Sequence, residues 1–226
     1  MDSLTLDLVK PIRNRNGSFE NPFKSSISFP GGGRVCKFLR EKFVGAITGP
    51  RAPTQQEINE NLPVTKPDLQ RLNSPPVDKL QYIWIGHATM LYQTDGWNIL
   101  SDPIWSERCS PFSFLGPKRY RPPPLPMEDL PRIDAVVISH NHYDHLDIHS
   151  VTTLNKLFGK SLHWLVPEGL KGWFLARNCE TVTELSWWQS VTLKMEGKKD
   201  LEITCTPAQH WSLRSGCDRN QVSEQL

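Results

Sequence analysis

No apolar run in the 226-residue chain approaches the roughly 20 residues a helix needs to cross a bilayer, and no basic segment followed by an apolar one opens it. A soluble or peripheral protein is expected. Cys-x-x-Cys pairs are absent as well. The five cysteines, Cys36, Cys109, Cys179, Cys205 and Cys217, are odd in number and widely spaced. They read as reduced thiols of an intracellular protein, with a disulfide-linked dimer contact as a remote option. Charge of one sign is missing too. Lys and Arg number 26 against 24 Asp and Glu, a net +2 that is too small and too mixed to argue for nucleic acid. A weak attraction to anionic lipid headgroups stays open. At 25.8 kDa the chain buries one substantial core and has no room for a second full domain.

Proline, by contrast, is plentiful, and it divides the chain. Residues 1–34 mix charge, Asn, Ser, Gly and Pro and close on Gly31-Gly32-Gly33, which predicts a largely flexible arm. Val35, Phe38, Leu39, Phe43, Val44 and Ile47 recur at helical spacing with Lys37, Arg40, Glu41 and Lys42 between them. An amphipathic helix is predicted, either packed on the domain or facing a membrane, and the two are compatible. A polar linker with Pro53, Pro63, Pro67, Pro75 and Pro76 completes a segment 35–79.

The main domain is expected over residues 80–226. Strands are predicted at Leu80–Ile85, Met90–Thr94 and Trp97–Ser101, the last two joined by the two-residue turn Asp95-Gly96. Pro103 to Pro131 is turn-rich, and Pro122-Pro123-Pro124 forbids a helix or central strand there, so a long ordered loop over one end of the sheet is expected. Lys118, Arg119 and Arg121 make that loop basic, which suits a phosphate or merely solubility. Further on, Val151, Leu154, Leu157 and Phe158 mark a helix, Leu162–Val166 a buried strand and Glu168–Ala176 a second helix. Short strands follow at Val182–Leu185, Val191–Met195 and Leu201–Thr206. A meander followed by strand, helix, strand predicts a mixed α/β sheet with helices outside, one layer of an αββα sandwich.

Chemistry concentrates in Ser139-His140-Asn141-His142-Tyr143-Asp144-His145-Leu146-Asp147, directly after the apolar run Asp134–Ile138. Neutral imidazoles and a carboxylate suit a divalent ion such as zinc, and alternation points His140 and His142 the same way. Asp144 and His145 would face a second position. Four potential ligands in six positions set this apart from an ordinary polar loop.

His140-x-His142-x-Asp144-His145 resembles the signature of the metallo-β-lactamase superfamily. Trp84-Ile85-Gly86-His87-Ala88-Thr89, Leu100-Ser101-Asp102-Pro103-Ile104, Gly116-Pro117-Lys118-Arg119-Tyr120-Arg121 and Gln209-His210-Trp211 narrow the resemblance to the N-acylphosphatidylethanolamine phospholipases D. The resemblance runs from about Asn21 to Asn220. It implies a metallo-β-lactamase-type αββα sandwich of which only the N-terminal part is present, and two Zn2+ ions. His210 becomes the third ligand beside His140 and His142. Asp102 becomes a brace for the metal turn, its alternative being a turn-forming Asp before Pro103. Asp147 braces the same turn or caps the following helix. Tyr143 lines the pocket and binds phosphate, or packs under the turn. His87 is expected to be structural, His149 and His163 to have no role, and Trp164, Trp187 and Trp188 to be core and rim.

The implied reaction is hydrolysis of N-acylphosphatidylethanolamine to N-acylethanolamine and phosphatidic acid. No catalytic residue is expected beyond a hydroxide held by the zinc ions, which lower its pKa and clamp the phosphodiester. Its substrate would lie at the surface of internal membranes, on which an intracellular, cytoplasmic protein would sit peripherally, as a monomer or a homodimer. The family's bridging aspartate and last histidine have no counterpart after His210, where only Asp218 follows. The first site is therefore expected to be weak and the second nearly absent. Two alternatives stand beside the reaction: an inactive truncated form, and a metallohydrolase of a soluble phosphodiester or lactone.

Overall fold

The computed structural model describes residues 8–20, 22, 40, 53–208, 210–215 and 218–222. Contacts divide the chain into a larger unit, Met1–Pro22 with Val64–Leu226, and a smaller one, Phe23–Pro63. The amphipathic segment predicted over Val35–Ile47 lies outside the described residues except for Arg40.

In the smaller unit the expected linker contains a helix, α1 (Gln55–Asn61). Its start is written in Thr54-x-x-Glu57. The Thr54 hydroxyl accepts from Glu57 N at 3.2 Å and a Glu57 carboxylate oxygen accepts from Thr54 N at 2.7 Å, a reciprocal cap that satisfies two donors. A second short helix, α2 (Leu69–Asn73), opens the main part of the larger unit, capped by Asp68. Both caps are legible in sequence; the prolines masked them.

Residues 8–20, within the expected flexible arm, are also ordered. Strands β1 (Ile12–Arg13) and β2 (Phe19–Glu20) pair antiparallel, Trp188 Nε1 donates to Val9 O at 2.8 Å, and Arg13 pairs with Glu168 at 3.1 Å. The anchors lie more than 150 residues away in sequence, beyond local reasoning.

The core sheet has six strands in spatial order β3 (Gln81–Gly86), β4 (Thr89–Thr94), β5 (Trp97–Ser101), β6 (Ala135–Val137), β7 (His163–Pro167) and β8 (Val182–Leu185). The first three form the expected meander, and the rest run parallel to β5. Asp95 and Gly96 take φ of 48° and 82°, the left-handed pair that a two-residue turn needs to match the strand twist.

Alternation gives each sheet face its own cover. Ile85, Leu91, Leu100, Val136, Trp164 and Val166 pack with Val151 and Leu154 of α3 (Ile148–Phe158) and with Phe174 of α4 (Lys171–Leu175). Each fully buried aliphatic side chain there contributes about 1.5–3 kcal/mol. The predicted second helix is shorter than Glu168–Ala176 because Gly169, at φ of 102°, breaks its first turn. The opposite face, with Trp97, Ala135 and Leu165, is met by Val191, Leu193 and Leu201 of the ribbon β9 (Ser190–Leu193) and β10 (Leu201–Thr204). A mixed sheet with helices on one face and a β-ribbon on the other is the expected fold class.

Between β5 and β6 the chain makes a long loop with bends and one 3-10 turn at Met127–Asp129. Its root is fastened by Asp147. That carboxylate caps α3 through His149 N and accepts from Trp105 N, Ser106 N, Ser106 Oγ and Ser150 Oγ.

Candidate metal centre

Because β3, β5 and β6 run in one direction, their C-terminal ends share one edge of the sheet. Ligands gather at such edges because backbone turns and loop side chains converge there. His87 follows β3, Asp102 follows β5, and Ser139 to His145 follow β6. His210 follows β10 in sequence and closes over the same edge, its Nε2 3.0 Å from His140 Nε2.

Two groups of donors result. His140, His142 and His210 present ligand atoms within 4.8 Å of one another, and so do His87, Asp144 and His145. All five predicted ligands are thereby brought to the site. The sixth, His87, was expected to be structural only. It does sit in a tight turn, at φ of 52°, but its Nε2 lies 2.9 Å from an Asp144 oxygen. The signal available for it was its place directly after a strand parallel to the one that delivers the metal turn.

The orienting groups are just as ordered. Asp102 is 5% exposed; one oxygen accepts from Ser139 N at 2.8 Å, and the other from Ser139 Oγ at 2.6 Å. That second oxygen also lies 2.8 Å from His145 Nδ1. Since the Ser139 hydroxyl proton goes to Asp102, its lone pair is left for His140 Nδ1–H at 2.9 Å. The tautomers follow: both rings carry their proton on Nδ1 and turn Nε2 towards the cluster. Asp102, expected as a brace for this turn, thus contacts it directly at His145 and through Ser139 at His140.

Burial and mutual repulsion set the charge state. Desolvation first, then the neighbouring imidazoles of His145, His210, His142 and His87, push His140 down to about 2. His142 falls to about 4, again by burial and then by His210, with Asp144 opposing. His210 is lowered by burial and by His145. All three are thus neutral at pH 7, the form that ligates.

The donor set fits a divalent metal. His142 Nε2 is buried with no hydrogen-bond partner among the described residues, an orphan that a cation would satisfy. Two imidazole Nε2 atoms facing each other at 3.0 Å, each neighbour's ring crossing at 86°, likewise turn lone pairs towards one point. No carboxylate belongs to both groups among the described residues. Asp218, the only later aspartate, instead accepts from Arg214 N and Ser215 N.

Tyr143, expected either to bind phosphate or to pack under the turn, packs against Arg214. Its hydroxyl donates to Arg214 O at 3.3 Å, and the Arg214 guanidinium stacks 4.1 Å from the ring centroid. Arg214 also donates to Asn141 O and Leu146 O, so this pair clamps the metal turn from behind. Asp147 likewise serves as the helix cap described above. His163 bonds Thr183, away from the centre.

Beside the ligands lies a cavity of about 650 Å³ between the sheet and the β9–β10 ribbon. Val137, Leu165, Leu185 and Ile203 line its apolar wall, and Asp102, Ser139, His140, His145 and His210 its polar end.

Comparison with known proteins agrees with this geometry. Residues 97–225 match the family described as the beta-lactamase superfamily domain. The chain is 39% identical over 223 residues to N-acyl-phosphatidylethanolamine-hydrolyzing phospholipase D 1 of Caenorhabditis elegans, covering 95% of this chain and 60% of that protein. It is 38% identical over 139 residues to the mitochondrial N-acyl-phosphatidylethanolamine-hydrolyzing phospholipase D of Saccharomyces cerevisiae, covering 61% of this chain and 29% of that one. Among solved structures, Igni18, a metallo hydrolase of Ignicoccus hospitalis, overlaps at a TM-score of 0.44 with 20% identity, over 65% of this chain and 53% of its own. An overlap of that extent carries no functional argument. The chain spans less than two thirds of the length of either phospholipase it matches.

Proposed function

The chain belongs to the metallo-β-lactamase superfamily, and on that footing we propose that it carries the metal-binding centre of a zinc-dependent phosphodiesterase of the phospholipase D type. N-acylphosphatidylethanolamine is the substrate, and N-acylethanolamine and phosphatidic acid are the products. The observation that supports this reading best is the apolar cavity of about 650 Å³ opening onto two adjacent donor groups. An acyl chain fits such a wall.

His140, His142 and His210 would hold one ion, and Asp144 and His145, with His87 beside them, a second. Bound zinc supplies Lewis acidity to the phosphoryl oxygens and lowers the pKa of water near phosphorus. The chain's own residues supply alignment. Asp102 and Ser139 fix the ligand tautomers, and Tyr143 with Arg214 keeps the turn from tilting. No described helix is long and apolar enough to cross a membrane, and we place the protein peripherally at a phospholipid surface.

A second reading has one observation in its favour. The two donor groups share no carboxylate among the described residues, so a metal-binding form without turnover is the competitor. Metal content paired with an assay on N-acylphosphatidylethanolamine in mixed micelles separates them. Near two zinc per chain with zinc-dependent release of N-acylethanolamine supports the enzyme. Bound zinc without turnover supports the competitor and overturns the first reading.

A further inference from the structure

The loop after β5 carries a finger that the metal centre does not use. Its stem is closed by Cys109 N to Pro117 O at 3.1 Å, Arg119 N to Glu107 O at 3.0 Å and an isolated antiparallel bridge between Arg108 and Lys118. Arg108 Nη1 donates to Gly116 O at 2.6 Å, and Lys118 pairs with Glu107 across the stem. Gly116, at φ of 102°, is needed at the return, because a Cβ there would meet Ser110 Cβ at 2.6 Å. The finger is therefore a built element and not a slack loop.

What it presents is unusual for a surface. Phe114 is 78% exposed, Leu115 59% and Phe112 51%, side by side at the tip, with the two phenyl centroids 5.7 Å apart. Tyr120, 64% exposed, stands near the base. Single exposed apolar residues need no explanation, but three on one short protrusion do. Around them residues 105–121 hold four cations, Arg108, Lys118, Arg119 and Arg121, against one carboxylate, Glu107. Arg108 and Arg119 are half-buried and donate to backbone carbonyls, which leaves Lys118 as the exposed cation of a stem with net positive charge. Apolar and aromatic residues at a tip with that charge behind them match the layering of an anionic bilayer, hydrocarbon beneath negative headgroups.

The finger is also tied to the site. Arg119 Nη1 donates to Ile104 O, and its Nη2 lies against Gly86, next to His87. The same loop is held by Asp147 at Trp105 and Ser106, two residues beyond His145 in the metal turn.

We infer that the Glu107–Arg119 finger inserts Phe112, Phe114 and Leu115 into an anionic lipid surface and so sets the metal centre at the headgroup level. The inference deepens the phospholipid reading above and rests on it for its purpose, but it concerns binding and is tested without substrate.

The test is co-sedimentation of the full chain with vesicles of phosphatidylcholine, with and without phosphatidylserine, containing no N-acylated lipid. The expected result is binding that rises with phosphatidylserine, falls with added salt, and drops by roughly ten-fold or more in F112S/F114S. A single F114S variant, altering the most exposed side chain, guards against misfolding, and thermal melting should be unchanged in both. An F38S/F43S variant is the control. Binding lost only in that control, or binding that neither variant of the finger weakens, overturns the inference. So does a finger variant that binds vesicles normally but loses self-association in gel filtration, which would make the tip a contact between copies. Absence of turnover with vesicle binding intact would instead count against the proposed reaction alone.

Discussion

The carboxylate of Asp102 reaches His145 Nδ1 at 2.8 Å, and the same oxygen accepts the Ser139 hydroxyl whose lone pair meets His140. One buried acid thus orients a ligand in each donor group. The reach is direct to one and relayed to the other.

Removing the acid and removing the relay should therefore differ. Asp102→Ala strips partners from Ser139 and His145 and should lower stability by about 1–3 kcal/mol, with zinc affinity reduced roughly 10–100-fold for both ions. Ser139→Ala keeps the Asp102–His145 bond, so its loss should be concentrated on the first ion, at about ten-fold, with little change in melting temperature. Isothermal titration with zinc resolves the two. Equal losses at both ions for Ser139→Ala would remove the relay.

His87 offers a test of the second group. Its Nε2 and the Asp144 oxygen are 2.9 Å apart, and its side chain is about half exposed, so truncation costs little packing. His87→Ala should preserve the fold and the first ion while weakening the second by roughly ten-fold or more, in keeping with the loss of a ligand or its partner. Zinc stoichiometry at limiting metal is the readout, and two ions bound as tightly as in wild type would return His87 to a structural role.

Most of the sheet was legible because burial on both faces makes its strands short apolar, β-branched and aromatic runs bounded by turn residues. Trp97–Ser101 and Val182–Leu185 match their predicted bounds, and Asp95-Gly96 announces its turn. The ligand turn was legible because neutral imidazole and carboxylate have few other reasons to crowd together. Ser139 was not, since a hydroxyl acquires its role only when Asp102, 37 residues earlier, is folded against it. Tyr143 was ambiguous for a related reason. Its partner Arg214 lies 71 residues on, and nothing local distinguishes a ring that clamps a turn from one that faces a ligand. The order of residues 8–20 likewise depends on Glu168 and Trp188, which no local window contains.

Acid should destabilise the metal-free protein in a definite window. The folded-state values of about 2 for His140 and about 4 for His142 lie below the ordinary 6.5, so the unfolded chain binds more protons there. Stability then falls as pH drops below about 6.5; the His142 contribution levels off near 4, and that of His140 continues towards 2. Urea unfolding of the metal-free protein at several pH values between 7 and 4 should show this slope. His142→Ala should show a shallower one, and an unchanged slope would mean that His142 is not buried as neutral imidazole.

Cysteine reactivity tests the ribbon that closes the cavity. Burial pushes Cys205 up to about 12, against a lowering bond from the Trp188 backbone, and Cys179 up to about 11, against the charge of Arg177. Both are free thiols, 4% and 1% exposed, so neither thiolate nor access is available to an alkylating reagent. Iodoacetamide at pH 8 should leave both unmodified in the native protein and modify both in guanidinium, as read by peptide mass spectrometry. The two differ in what protects them. Cys179 belongs to the core beneath α3, whereas Cys205 lines the cavity just beyond β10 and depends on the two-stranded ribbon staying shut. Selective labelling of Cys205 would therefore show that ribbon opening is the lowest-energy excursion of the fold. Equal protection of both would make the ribbon as firm as the core.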